Sequence, residues 1–400
     1  MNFIEGGITA PQGFKAAGVA AGIRKKEKKD VAIVYSQVPA QAAAVYTINK
    51  FKAAPLKVTA EHLADGIAQA MVINSGIANA CMGQQGMESA KEMAEITAQV
   101  LNIKVDDVVV ASTGLIGAPL PMDRLEQGIK EAASKLSTKG GSCAAEAIMT
   151  TDLVKKEVAV QLELGEKQIT IGAMAKGSGM IHPNMATMLG FITTDADVSA
   201  ECLQKSLKTA VETSFNMISV DGDTSTNDMV VIMANGIAGN PQITLDNEYY
   251  VQFQAALTEI CVILAKMIAQ DGEGATKLIE VEVSGALSLE DARKAARTIC
   301  SSSLVKSAIF GEDANWGRII TALGYSGAEV EPEKVDVYIG DLMMAENGTG
   351  LSFDEDKAGQ ILAQKEVIIK VDLKLGEFEA KAWGCDLSYD YVRINADYRT

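Results

Sequence analysis

Thr187 follows Ala186 in the run Lys176-Gly-Ser-Gly-Met-Ile-His-Pro-Asn-Met-Ala-Thr-Met-Leu-Gly190. Apolar, strand-like segments flank this run at 168–171 and 188–193. Gly177, Gly179 and Pro183 interrupt regular structure, so an irregular loop must deliver Ala186-Thr187 into the following strand. A small residue followed by a hydroxyl residue at such a junction is what self-cleavage requires. The Thr187 hydroxyl attacks the Ala186 carbonyl, the chain shifts from amide to ester, and water releases Thr187 as a new N-terminus. That residue then carries nucleophile and base together: its hydroxyl, and an α-amine with an ordinary pKa of about 7.7–8.0. An Ala-Thr pair also serves as plain strand sequence, so the surrounding residues have to decide.

The supply of other bases is small. There are two histidines, His62 and His182, so a Ser-His-Asp triad can use only one of them and no site built on several histidines can bind a metal. His62 reads as a surface helix residue, whereas His182, five residues before Thr187, can contact the site. A chain this poor in histidine needs another base, and the amine of a processed threonine is one. Six cysteines stand singly, without metal-ligand or redox spacing, which points to reduced thiols and a cytoplasmic protein without metal. The first residues show no basic segment leading into an apolar one, so no signal peptide is expected. The net charge of -16 argues against a nucleic-acid surface, and the basic run Arg24-Lys-Lys-Glu-Lys-Lys29 reads as a solvated loop.

The elements that must position these groups can be read from periodicity. A chain of 400 residues, 48% hydrophobic and 5% aromatic, suits an α/β protein packed with Ala, Val, Ile and Met, with more than one core. Strands are expected at 31–35, 68–74, 105–112, 157–162, 168–171, 228–233, 277–283, 335–339, 366–373, 377–385 and 392–398, with 157–171 forming a hairpin. Helices are expected at 87–101, 123–136 with Asp123 as N-cap, 143–149, 199–213 with Ser199 as cap, 249–270, 288–298 from a Ser288/Asp291 capping pair, and 315–323. The most apolar helical stretch, 255–269, carries Glu259 and Lys266 and reads as a core helix rather than a membrane span. Strands and helices alternate without a consistent βαβ register, which argues for layered sheets with helices outside.

The wording around Thr187 resembles the ornithine acetyltransferase family, the glutamate N-acetyltransferases of arginine biosynthesis. Lys176-Gly-Ser-Gly-Met, Met185-Ala-Thr-Met-Leu and Thr193-Thr-Asp-Ala196 carry the likeness. So do Asn74-Ser-Gly-Ile-Ala-Asn-Ala80, Ser112-Thr-Gly-Leu-Ile-Gly117, Ala147-Ile-Met-Thr-Thr-Asp152, Asp221-Gly-Asp-Thr-Ser-Thr-Asn-Asp228, Asp271-Gly-Glu-Gly-Ala-Thr-Lys277 and Gly311-Glu-Asp-Ala-Asn-Trp-Gly-Arg318, in order along nearly the whole chain. The resemblance implies an α/β (α+β) fold: a layered αββα-like sandwich reminiscent of N-terminal nucleophile hydrolases, plus a smaller second α/β lobe. The lobe boundary is placed loosely near residue 280, and the covalent boundary at Ala186/Thr187. Fragments 1–186 and 187–400 are then expected to assemble as a heterotetramer.

For the site, the resemblance implies that Thr113 and Gly114 form the oxyanion hole, which fits a turn ending an apolar strand where N–H groups and a hydroxyl are free. Lys176, eleven residues before Thr187 and followed by two glycines, can pair with a substrate carboxylate; Glu273 in a Gly-framed turn can receive an ammonium. The family pattern places substrate contacts at both, at one of Thr150 and Thr151, and at Asn395 and the terminal Thr400. The implied reaction moves acetyl from N-acetylornithine to Thr187 and then to glutamate, without a metal or organic cofactor and without a nucleic-acid or membrane partner. Acetyl-CoA is a further donor in the bifunctional branch of the family, and this sequence fits both branches alike. Two rival readings are a self-processing N-terminal-threonine amidohydrolase or aminopeptidase, and a binding protein that retains the fold uncut.

Overall fold

The computed structural model of the chain describes residues 1–24, 27–182 and 188–397. Among these, nine strands form one sheet and seven form another. In the first sheet the strands run Asn2–Ile4, Lys156–Leu164, Lys167–Lys176, Leu189–Thr194, Met229–Ala234, Val31–Tyr46, Ile67–Ile77 and Val108–Leu115, with Phe14–Val19 pairing beside Val31–Tyr46.

Alternation along these strands sorts their side chains into separate cores. Val230 and Ile232 join Ile171, Ala173 and Ile192 in a core that includes helices Ala200–Glu212 and Tyr249–Gln270. Met229, Val231 and Met233 face the other way, packing with Leu189 and Phe191 against Val34, Met71, Ile73 and Val109 from the other half of the same sheet. Val31, Ile33, Val72, Val108 and Val110 then pack outward against helices Ala54–His62, Gly83–Leu101 and Met122–Ser134. The sheet therefore doubles over on itself around an inner apolar layer, with helices on both outer faces. This is the αββα layering that the family resemblance implies, and it agrees with the layered sheets and outer helices expected from the pattern of elements.

The second sheet orders Thr349–Gly350, Leu342–Glu346, Asp336–Ile339, Glu366–Asp372, Leu278–Ala286, Phe378–Cys385 and Ile218–Ser219. Ile218–Ser219 pairs in parallel with Phe378–Cys385, so a piece of chain from before residue 280 completes this sheet. One continuous core runs from the first sheet through helix Tyr249–Gln270 to the second sheet and helix Leu289–Ser301. Tyr249–Gln270 is long and apolar enough to cross a bilayer by composition, but it buries Phe253, Leu257, Ile260, Leu264 and Ile268 in that core.

Three local expectations are corrected. Residues 392–398 were expected as a strand; the chain there is helical over Tyr389–Asp397. Val392 and Ile394 alternate like strand residues, but Ser388 accepts the Asp390 N–H at the helix start and Asn395 bonds back to the Tyr391 carbonyl at 3.0 Å. Asp123 is not an N-cap. The helix begins at Met122 after Pro121, and Asp123 sits in its first turn, where the helix dipole favours a carboxylate. The strand expected from 105 begins at Val108, because Val105–Asp107 forms a turn of 3-10 helix. Ser199 and Ser288 do cap their helices, accepting the N–H groups of Cys202 and Asp291.

Candidate active site

Thr113 and Gly114 lie at the end of strand Val108–Leu115, beside the irregular end of its parallel neighbour Ile67–Ile77. Thr113 is buried. Gly114 has φ of +132°, and a Cβ on it would overlap the Gly76 carbonyl, so only glycine fits both the conformation and the approach. The Asn74 motif shapes this end of the sheet. Ser112 donates to the Asn74 side chain at 2.6 Å, and Asn74 donates to the Ile77 carbonyl at 2.9 Å.

Two consecutive residues join this strand end to the segment around position 187. Buried Asn227 donates through its amide to the carbonyls of Ala78 (2.6 Å) and Ser112 (2.8 Å), the latter immediately before Thr113. Asp228 accepts the Met188 N–H at 3.0 Å, immediately after Thr187. The predicted cleavage pair Ala186 and Thr187, and the predicted substrate residue Thr400, lie outside the described residues. Burial pushes the Asp228 carboxyl well above the usual carboxylate range; the Met188 N–H, the Thr47 hydroxyl and the Lys176 ammonium offset only part of that.

Lys176 ends strand Lys167–Lys176 and is buried, and among the described residues no carboxylate lies within 4.0 Å of its ammonium. Burial, aided by the nearby Lys156 ammonium, pulls its pKa below the usual lysine value; Asp152, Asp228 and Glu273 act in the opposite direction. A buried cation without an ion pair is prepared to receive an anion. Lys156 is already paired. It bonds Asp152 at 2.8 Å and Asp271 at 2.6 Å, with all three side chains out of solvent. Burial favours the neutral acid at Asp152, but Lys176 and Lys156 outweigh it and hold that carboxyl well below its usual range. Asp152 also receives the Gly177 N–H at 2.7 Å and the Thr150 N–H at 3.0 Å, so it fixes both the Lys176 loop and the Thr150-Thr151 turn. Thr150 and Thr151 are half-buried there, with the Thr150 carbonyl held by Arg24 at 2.7 Å.

Glu273 is brought to the same loops by Ser178, whose hydroxyl donates to the Asp271 carbonyl at 2.7 Å and whose carbonyl accepts the Glu273 N–H at 3.0 Å. A Cβ on Gly179 would collide with the Glu273 carboxylate, so the glycine makes room for it. The same carboxylate accepts from Asn395 at 2.9 Å. The structure thus gathers Lys176, Thr150, Thr151, Glu273 and Asn395 around one set of loops, linked through Asn227-Asp228 to Thr113 and Gly114. His182 lies five residues before the predicted nucleophile. Its ring bonds the Ser219 hydroxyl at 3.1 Å, and burial, then Arg297, lower its pKa. His62 is bound to the Val108 carbonyl at 2.8 Å.

Sequence reasoning missed Asp152, Lys156, Asn227, Asp228 and Asp271 as organisers of the site. All but Lys156 stand in the motif runs, yet only their long-range partners reveal what they hold.

A family model described as the ArgJ family matches residues 15–400. The arginine biosynthesis bifunctional protein ArgJ of Symbiobacterium thermophilum is 58% identical over 402 residues, spanning all of both chains. That of Thermotoga neapolitana is 53% identical over 397 residues, covering 98% of this chain and 99% of its own. A crystal structure of arginine biosynthesis bifunctional protein argJ from Bacillus halodurans is similar with a TM-score of 0.52 and 52% identity, covering 53% of this chain and 100% of its own. With its site assembled from the motifs quoted above and this likeness running end to end, the chain belongs to the ArgJ family.

Proposed function

We propose that this protein is a self-processing acetyltransferase of arginine biosynthesis. It moves acetyl from N-acetylornithine to glutamate through an acyl-threonine at position 187. The observation that carries this reading is the Asn227-Asp228 pair. One residue grips the carbonyl before the predicted oxyanion residues, and the next grips the amide after the predicted nucleophile.

In the first half-reaction the Thr187 hydroxyl attacks the acetyl carbonyl and its proton passes to the Thr187 amine. Thr113 and Gly114 hold the oxyanion, a contribution of roughly 3–4 kcal/mol per donor in comparable sites. Ornithine leaves with the proton. The amine of glutamate then attacks the ester, and N-acetylglutamate departs with Thr187 regenerated. Buried, unpaired Lys176 takes a substrate carboxylate. Glu273, oriented by Asn395, takes the ornithine side-chain ammonium. Thr150 or Thr151 and Thr400 complete the pocket. The steps balance without a metal or organic cofactor, acetyl-CoA enters only as an alternative acetyl donor, and the substrates are those of the cytoplasm.

Cleavage divides the chain into 1–186 and 187–400. Strand Lys167–Lys176 of the first piece pairs with Leu189–Thr194 of the second, and Val31–Tyr46 pairs with Met229–Ala234. The pieces therefore stay interleaved, and two such pairs form the heterotetramer. Denaturing gels of purified protein should show two pieces, the second beginning Thr-Met-Leu-Gly, while native size exclusion keeps both in one peak. Thr187→Ala should stay whole and Thr187→Ser should still cut. A wild-type protein that stays full length after long incubation overturns the reading.

A further inference from the structure

Lys176 and Glu273 carry opposite charges on neighbouring loops, and they do not meet. Glu273 is near enough to favour the charged Lys176 ammonium, yet among the described residues the two are not within 4.0 Å of each other or of any other ion-pair partner. The gap suits a ligand with an anion at one end and a cation at the other. Its width depends on how the two loops are held, and they are held at two points. Ser178 is the first: its hydroxyl donates to the Asp271 carbonyl at 2.7 Å and its carbonyl accepts the Glu273 N–H at 3.0 Å. One such point leaves the loops free to pivot. The second is a bridge through Asp152, Lys156 and Asp271. Asp152 Oδ1 takes the Gly177 N–H at 2.7 Å and the Lys156 ammonium at 2.8 Å. The same ammonium reaches Asp271 Oδ2 at 2.6 Å and the Val154 carbonyl at 3.3 Å, so its three protons are all placed. Gly177 follows Lys176 directly, and Asp271 stands two residues before Glu273. The bridge is out of solvent, so water does not compete for its bonds.

We infer that the Asp152–Lys156–Asp271 bridge gauges the length of the acetyl donor. Lys156 is a positioning residue: it sets the distance between Lys176 and Glu273, and so the number of methylenes accepted between the donor's α-carboxylate and its side-chain ammonium. The inference deepens the function proposed above and rests on its assignment of the carboxylate to Lys176 and the ammonium to Glu273. A buried ionic cluster gains little stability over well-packed apolar side chains, so its use here is geometric. A donor one methylene too short satisfies one charge and leaves the other unpaired, and a donor one methylene too long must buckle. In a closed apolar pocket one methylene is worth roughly 10–200-fold in kcat/KM. Loops free to pivot would absorb the difference; loops fixed at two points do not.

The test compares kcat/KM for N-acetylornithine with that for N-acetyllysine, one methylene longer, in wild type and in Lys156→Arg. Arginine keeps the charge and lengthens the bridge. Wild type should prefer N-acetylornithine by about tenfold or more, and that ratio should fall by about tenfold in the variant, whatever the loss in absolute rate. Asp152→Glu lengthens the bridge at its other arm and should move the ratio the same way. A merely structural lysine would cost both substrates alike, so an unchanged ratio in the folded variants overturns the inference. Glu273→Gln separates the gauge from the reading beneath it. It should remove the preference for N-acetylornithine over N-acetylnorvaline, which lacks the ammonium. If that preference survives, the proposed role of Glu273 fails and the gauge with it; if it is lost while the lysine ratio holds in Lys156→Arg, the gauge alone fails. If neither bridge variant folds, the wild type decides. N-acetyl-2,4-diaminobutyrate, one methylene shorter, and N-acetyllysine should each fall about tenfold or more below N-acetylornithine, and a flat series overturns the inference.

Discussion

The Asn395 side chain donates to the Glu273 carboxylate at 2.9 Å, across 122 residues of sequence, while also holding the Tyr391 carbonyl at 3.0 Å. The C-terminal helix thereby orients an acid in a turn already clamped by Asp386, which accepts the Thr276 and Lys277 N–H groups. If Glu273 reads the ornithine ammonium, its position depends on Asn395. Glu273→Gln should raise KM for N-acetylornithine about tenfold or more, and Asn395→Ala should raise it less. The double variant should lose less than the sum, with a coupling of about 0.5–3 kcal/mol. Additive losses in a steady-state double-mutant cycle would separate the two roles. Gly179→Ala, whose methyl would displace the same carboxylate, should raise the same KM with little change in melting temperature.

Thr113→Ala should lower kcat by roughly one to three orders of magnitude while KM stays nearly unchanged, because an oxyanion donor acts mainly in the transition state. The same substitution should slow cleavage, which passes through an oxyanion of its own. A rise in KM with unaltered kcat would mark Thr113 as a binding residue instead.

Lys156 holds Asp152 and Asp271 together in a dry network, so Lys156→Met leaves Asp271 without its cation and Asp152 with Lys176 alone. A loss of about 3–5 kcal/mol is expected in denaturant melts. The pH dependence follows from Asp152, whose carboxyl is held below its usual range. Its contribution to stability is complete above the unfolded value of about 3.9 and is lost as the pH falls toward the folded value. Asp228 has the opposite sign. Its raised carboxyl favours the folded state most at low pH and contributes less as the pH rises above the unfolded value. Wild-type stability should therefore drop below about pH 4, and Lys156→Met should flatten that acid limb. An unchanged limb in the variant would assign the hold on Asp152 to Lys176 rather than to Lys156.

Transfer and hydrolysis should separate by pH. The Thr187 amine must be neutral in either case, so activity rises through its pKa, ordinarily about 7.7–8.0. The glutamate acceptor must also lose a proton from its own amine, a requirement water does not share. With glutamate saturating, the ratio of acetylglutamate to free acetate should increase with pH in a competition assay. Acetate dominating at every pH would favour an amidohydrolase.

Local chemistry was legible in the sequence wherever one period or one cap decided the structure. The hairpin of Lys156–Leu164 and Lys167–Lys176, the helix Gly83–Leu101 and the caps Ser199 and Ser288 follow from alternation, helical spacing and side-chain oxygens aimed at free N–H groups. The candidates for charge and nucleophilicity came from the family resemblance of the motif runs, with Gly-framed turns and a scarcity of histidine beside it. Tertiary structure alone decided which of them meet. Lys156 reaches Asp271 over 115 residues, Asn227 reaches Ser112 over 115, and Glu273 reaches Asn395 over 122. No local period encodes such contacts, and the strand-like alternation of Val392 and Ile394 pointed away from the helix that makes the last one possible. Val31–Tyr46, read only over its first five residues, extends as a 16-residue strand with a register shift after Tyr35, because its pairing with Ile67–Ile77 and Met229–Ala234 joins the two halves of the doubled sheet. Hydrogen bonds to the neighbouring strands set its length, and those strands are distant in sequence.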